Sequence, residues 1–86
     1  MGKIIYTIHA IEDVFPELRG WGFKLDKRDI RKVILHPDNL DTKSDFPNII
    51  ASKSLNERHI LRVVYKVESG IIKVITFYPA EKGRYY

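Results

Sequence analysis

The chain has 86 residues, 44% hydrophobic, 30% charged and 12% aromatic, which is enough for one small globular domain and too few for a two-domain enzyme. It contains no cysteine, so disulfides, thiolate zinc sites and cysteine nucleophiles are excluded and a reducing, cytoplasmic setting is expected. The formal charge of +4 falls entirely in residues 46–86, with seven basic and three acidic side chains against eight of each in residues 1–45, and points to an anionic partner on the second half.

Residues 1–86 carry no repeat, low-complexity tract or linker and read as a single domain. No apolar run approaches the roughly 18 residues of a membrane span, so no membrane association is expected. Lys3 to Ile8, with Ile4, Tyr6 and Ile8 on one face, predicts a short strand. Ile11, Val14, Phe15 and Leu18 then form one apolar helical stripe. Pro16 cannot donate to the carbonyl of Glu12, so this helix is expected to kink or split, and Gly20 and Gly22 around Trp21 end it. A second helix is capped by Asp26, with Asp29 at its third position and Leu25 and Ile30 as a hydrophobic staple. Its core face is Ile30, Val33 and Ile34, and His36-Pro37 closes it.

Leu40 to Asp45 reads as an exposed loop, followed by strands over about 48–53, 58–67 and 71–78, the last two joined by a turn at Glu68-Ser69-Gly70. The expected fold is therefore α+β: a short N-terminal strand, two helices, then an antiparallel three-stranded meander with both helices on one sheet face. On the long strand Leu61, Val63, Tyr65 and Val67 point one way, while Arg58, Arg62 and Lys66, interleaved with Ile60 and Val64, point the other as a basic ridge on the open face. The last strand has no clear phase, because Ile71, Lys73, Ile75 and Phe77 oppose an equally apolar set, Ile72, Val74, Thr76 and Tyr78.

Tyr6-Thr7-Ile8-His9-Ala10, the Asp26-to-Pro37 helix ending in His-Pro-Asp, Leu61-Arg62-Val63-Val64-Tyr65, Val74-Ile75-Thr76-Phe77-Tyr78-Pro79 and Arg84-Tyr85 follow one ordered pattern over nearly the whole chain. The pattern resembles a small bacterial and archaeal domain family of unknown function, grouped with RelE/ParE-like toxins. The resemblance implies a two-helix layer on an antiparallel sheet. It also implies a ribonuclease, ribosome-dependent or free, that cleaves RNA through its own 2′-hydroxyl, and an acidic antitoxin as protein partner.

Such cleavage needs a base for the 2′-hydroxyl, an acid for the leaving oxygen and cations for the developing phosphorane charge, and it needs neither metal nor cofactor. His9 is the candidate titrating group, with a helix-capping role as the alternative. Arg62 is the candidate phosphate clamp, with a surface arginine lying along the sheet as the alternative. Tyr78 and Arg84 complete the candidate catalytic set, and Arg58, Lys66, Tyr85 and Tyr86 are candidate RNA contacts; the alternatives are a core tyrosine and a frayed tail. His9, His36 and His59 lack metal-ligand spacing.

The expected function is thus an RNA-binding, metal-independent endoribonuclease of toxin-antitoxin type. The alternative is a non-catalytic, toxin-like module that docks an acidic partner on its basic sheet face. An unpaired strand edge offers a route to a homodimer.

Overall fold

In a computed structural model, residues 3–83 are described. The elements run β1 (Ile4–Tyr6), a π-helical turn (Ala10–Val14), α1 (Phe15–Gly20), α2 (Lys27–Leu35), β2 (Asn39–Asp41), β3 (Ile49–Ser54), β4 (His59–Glu68) and β5 (Ile71–Glu81). The class is α+β, but the sheet has five strands in the order β1-β5-β4-β3-β2 and is mixed, which corrects the expected three-stranded meander. β1 pairs parallel with β5, and β2 adds antiparallel to β3 where a loop was expected. Both edges are three-residue strands; β1 falls within the strand expected over Lys3 to Ile8, whereas β2 is too short to show a periodicity of its own. No helix among the described residues is long and apolar enough to cross a membrane.

Proline splits the first helical segment as its chemistry requires. Pro16 sits in the first turn of α1, where its missing N–H is harmless, and the preceding turn widens so that Phe15 N–H bonds to Ala10 O. The apolar stripe survives, because Ala10, Val14 and Leu18 all reach the core. α1 ends in a Schellman turn: Gly22 takes a φ of 92°, its N–H bonds to Arg19 O at 3.1 Å, and Phe23 N–H bonds to Leu18 O at 2.9 Å. Leu18 and Phe23 accordingly both pack in the core.

α2 carries a full capping box, with the Asp26 side chain accepting from Arg28 N–H and Asp29 N–H and the Asp29 side chain accepting from Asp26 N–H at 2.8 Å. At the other end Lys53 Nζ donates to His36 O at 2.8 Å and so satisfies a terminal carbonyl. Ile30, Val33 and Ile34 bury against Ala51, Leu61, Val63, Tyr65, Val74 and Phe77 of the sheet.

The ambiguous phase of β5 has a structural cause. Val64 pairs with Thr76 but Tyr65 pairs with Val74, so Ile75 is an extra residue that reverses the alternation. Phe77, Val74 and Ile72 therefore share the core face, although their spacing in sequence forbids it for an unbroken strand. Thr7 fixes the bulge to β1: its Oγ1 donates to Ile75 O at 3.0 Å and accepts from Ala10 N–H at 3.1 Å, while its N–H bonds to Val74 O at 3.0 Å.

The β4-β5 turn places Ser69 at φ 50° and Gly70 at φ 77°, the conformation of a two-residue type I′ hairpin. Serine in the left-handed region is strained, whereas asparagine tolerates it. Ser69→Asn is expected to raise stability by about 0.5 kcal/mol, read as a higher urea midpoint at unchanged m. An unchanged or lower midpoint would show that the turn is not strained at Ser69.

Candidate nucleic-acid interface

On the sheet face away from the helices, register aligns Asn39, Ser52, Arg62 and Tyr78 in one polar row across β2, β3, β4 and β5. Ile50 and Val64 flank this row on one side, Ile60 and Ala80 on the other. Arg62 is not the exposed ridge residue expected from its parity. It is 6% exposed, and its Nε donates to Tyr78 Oη at 3.0 Å while Nη1 approaches Ser52 Oγ at 3.4 Å. Its aliphatic stem lies between apolar neighbours and its donors meet neighbouring hydroxyls, so the sheet itself occupies much of the guanidinium.

Of the rest of the expected ridge, Lys66 is paired, whereas Arg58 meets no carboxylate within 4.0 Å among the described residues. Lys66 is bonded to Glu68, and that ammonium holds the Glu68 carboxyl below the usual carboxylate range. Arg58 precedes β4 and lines a hollow with Glu57 and Glu81. Asp41 pairs in register with Ile50 on this same face, and the Ser44 side chain, with the N–H groups of Ser44 and Lys43, lowers its carboxyl from the ordinary 3.8 to about 2. This face is not open as expected, since Ile50, Ser52, Ile60, Arg62 and Val64 are all buried, and it carries less accessible positive charge than its residue count implies.

His9 stands elsewhere. It opens the helical segment whose Ala10 and Val14 pack on the Leu61, Val63 and Phe77 face, and its Nδ1 lies 3.1 Å from Asp13 Oδ2 on the exposed side of that segment. Arg62 and Tyr78 alternate with those core residues and face the other way. Of the four candidate catalytic residues, Arg62 and Tyr78 come together, His9 is separated from them by the sheet, and Arg84 lies outside the described residues with Tyr85 and Tyr86. His59 is half-buried, edge-on to Phe23 with ring centroids 5.3 Å apart.

A different cationic surface lies on the helical side. One hollow of about 280 Å³ is lined by Ile11, Phe15, Arg19, Leu25, Asp26 and Lys27. A second, of about 220 Å³, is lined by Ile4, Tyr6, Lys27, Arg28 and Arg31. Lys27 is common to both, so they adjoin as one groove with an apolar and aromatic floor and a rim of cations. Lys27 Nζ lies 5.1 Å from the centroid of the Tyr6 ring, and burial raises the Tyr6 hydroxyl above its ordinary value, so it remains protonated at neutral pH.

The capping box explains why this rim stays positive. Residues 24–32 hold five basic and two acidic side chains, and both carboxylates are turned onto backbone N–H groups, which lowers Asp26 below the usual range. Arg28 reaches Asp26 only at 3.5 Å, and among the described residues Arg19, Lys27 and Arg31 meet no carboxylate within 4.0 Å. Counting charge by half-chain hides this cluster, because acids distributed elsewhere in the first half cancel it on paper. The readable signal was the cap itself: an Asp at the N-cap and another three residues later are committed to the helix backbone.

No protein-family model matches the chain, and neither a curated protein nor a solved structure does.

Proposed function

We propose that this chain is an RNA-binding module that uses the groove between α1, α2 and β1. The observation that carries this reading is the set of cations Arg19, Lys27, Arg28 and Arg31 around one groove whose nearby carboxylates serve as helix caps. Arginine offers phosphate a planar fork of donors and lysine a mobile point charge, so this rim suits a chain of phosphodiesters. The absence of cysteine fits a cytoplasmic setting for such a module.

The reading departs from a toxin-type endoribonuclease built on His9, Arg62, Tyr78 and Arg84. A proton-transfer group and the cations that stabilise the phosphorane must reach the same phosphate, within hydrogen-bond distance. His9 and Arg62 stand on opposite sides of the sheet. The apolar floor formed by Ile11, Phe15 and Leu25 supports a second reading, in which the groove receives an acidic protein segment such as an antitoxin.

The test is fluorescence anisotropy of a labelled RNA at several salt concentrations. Lys27→Glu with Arg31→Glu is expected to weaken binding at least about 10-fold and to flatten the log-log salt slope by roughly 1.4, near 0.7 for each lost phosphate contact. Wild-type RNA is expected to stay intact with or without ribosomes in the presence of chelator. RNA cleavage that His9→Ala abolishes would restore the catalytic reading, and RNA affinity unchanged by the double reversal would remove the groove from consideration.

A further inference from the structure

Trp21 is the single tryptophan of the chain and is 72% exposed. Its backbone is held firmly for so exposed a residue. Trp21 N–H bonds to Glu17 O at 3.2 Å and Leu18 O at 3.1 Å, and the following Gly22 and Phe23 N–H groups close the Schellman turn. The turn borders the groove described above, although Trp21 itself lines neither hollow: Arg19, two residues before it, lines the groove, and Leu25 and Asp26 at the end of the same connection do too. Lys24 adds a further cation to this connection, so the indole is flanked in sequence by Arg19 and Lys24.

An exposed indole on a braced turn, with cations two and three residues away in sequence, is an arrangement on which an unpaired base can stack. Ordering the turn costs little on binding because the helix end has already ordered it. Phe46 provides the contrast. It is 80% exposed, yet its connection carries a single cation, Lys43, beside Asp45, and follows Asp41 at the end of β2. The hollows of about 280 and 220 Å³ are shallow and set apolar and aromatic side chains beside cations, which suits a single strand with splayed bases, whereas the bases of a duplex are withdrawn into its stack.

We infer that Trp21 is a base-stacking residue at the border of this groove and that the module selects single-stranded RNA, an inference that rests on the RNA-binding reading above. The uniqueness of Trp21 makes the test direct. Wild-type protein is titrated with a mixed-sequence RNA of about 12 nucleotides, within the range of single-strand site sizes, and with the same sequence as a full duplex. Indole emission and anisotropy of the labelled RNA are read in parallel.

The single strand is expected to quench the indole to saturation and the duplex to bind at least about 10-fold more weakly, without quenching. Trp21→Ala is expected to lose about 10-fold in single-strand affinity and Trp21→Phe to retain most of it, with thermal melts confirming that both variants fold. Binding that depends on Lys27 and Arg31 but leaves the indole unquenched, or that treats duplex and single strand alike, would overturn the stacking role while sparing the groove. No anisotropy change with any RNA would overturn both.

Discussion

Replacing Phe77 by alanine is expected to cost about 3–5 kcal/mol, the largest single loss anticipated for this domain. Phe77 is 1% exposed, lies edge-on to Phe15 with ring centroids 4.6 Å apart, and belongs to the same buried cluster as Val63 and Val74. The cost combines the transfer of a whole ring with the cavity left between the sheet and the first helical segment. A chain of this length has a total stability of roughly 4–13 kcal/mol, so the variant is expected to melt at least about 12 °C lower or to be partly unfolded at 37 °C. Phe77→Leu retains most of the volume and is expected to lose less than about 2 kcal/mol. An alanine variant within about 1 kcal/mol of wild type in urea titration would mean that the site collapses freely and that Phe77 does not organise the core.

This prediction bears on the groove as well as on the core. Phe77 supports Phe15, and Phe15 meets Tyr6 with centroids 6.2 Å apart, so the chain of rings runs from the sheet to both hollows. Any residual folded Phe77→Ala is therefore expected to bind RNA more weakly, although Phe77 lines neither hollow.

Arg62→Ala is expected to cost about 2–4 kcal/mol, because it removes a buried, hydrogen-bonded side chain and leaves a void beside Ser52 and Tyr78. Arg62→Met keeps the stem and fills most of that space, so its loss is expected to be smaller. Tyr78→Phe leaves Arg62 Nε without its phenolic acceptor and is expected to cost about 1–3 kcal/mol. Combined, Arg62→Met and Tyr78→Phe are expected to cost less than the two separately by about 1 kcal/mol. Additive costs would mean that the 3.0 Å contact carries no coupling. RNA affinity of folded Arg62→Met is expected to match wild type, since the groove lies across the sheet; a 10-fold loss there would return Arg62 to the phosphate-binding role its position in the chain suggested.

Local chemistry determined much of this protein by itself. Asp26 and Asp29 announce the start of α2, His36-Pro37 its end, Pro16 the break before α1, and Ser69-Gly70 the hairpin, because each acts on backbone groups within a few residues. Alternation along the strand anticipated the burial of Leu61, Val63 and Tyr65 but not that of Ile60, Arg62 and Val64 on the opposite face. Pairing decided the rest. β1 was legible in the alternation of Ile4 and Tyr6, but its parallel pairing with β5 was not, and β2 is too short to declare itself and exists because β3 offers it hydrogen bonds. The inserted Ile75 put Val74 and Phe77 on one face, through contacts made by Thr7 from the far end of the chain.

The same division applies to the site. Residue types identified cations and aromatics, but only packing revealed that Arg62 is occupied within its sheet and that His9 is separated from it. Arg19, Lys27 and Arg31 became one surface because α1, α2 and β1 border the same two hollows while the nearby carboxylates turn to the backbone. Whether a charge is available to a partner depends on what surrounds it in three dimensions, and a residue count carries no such information.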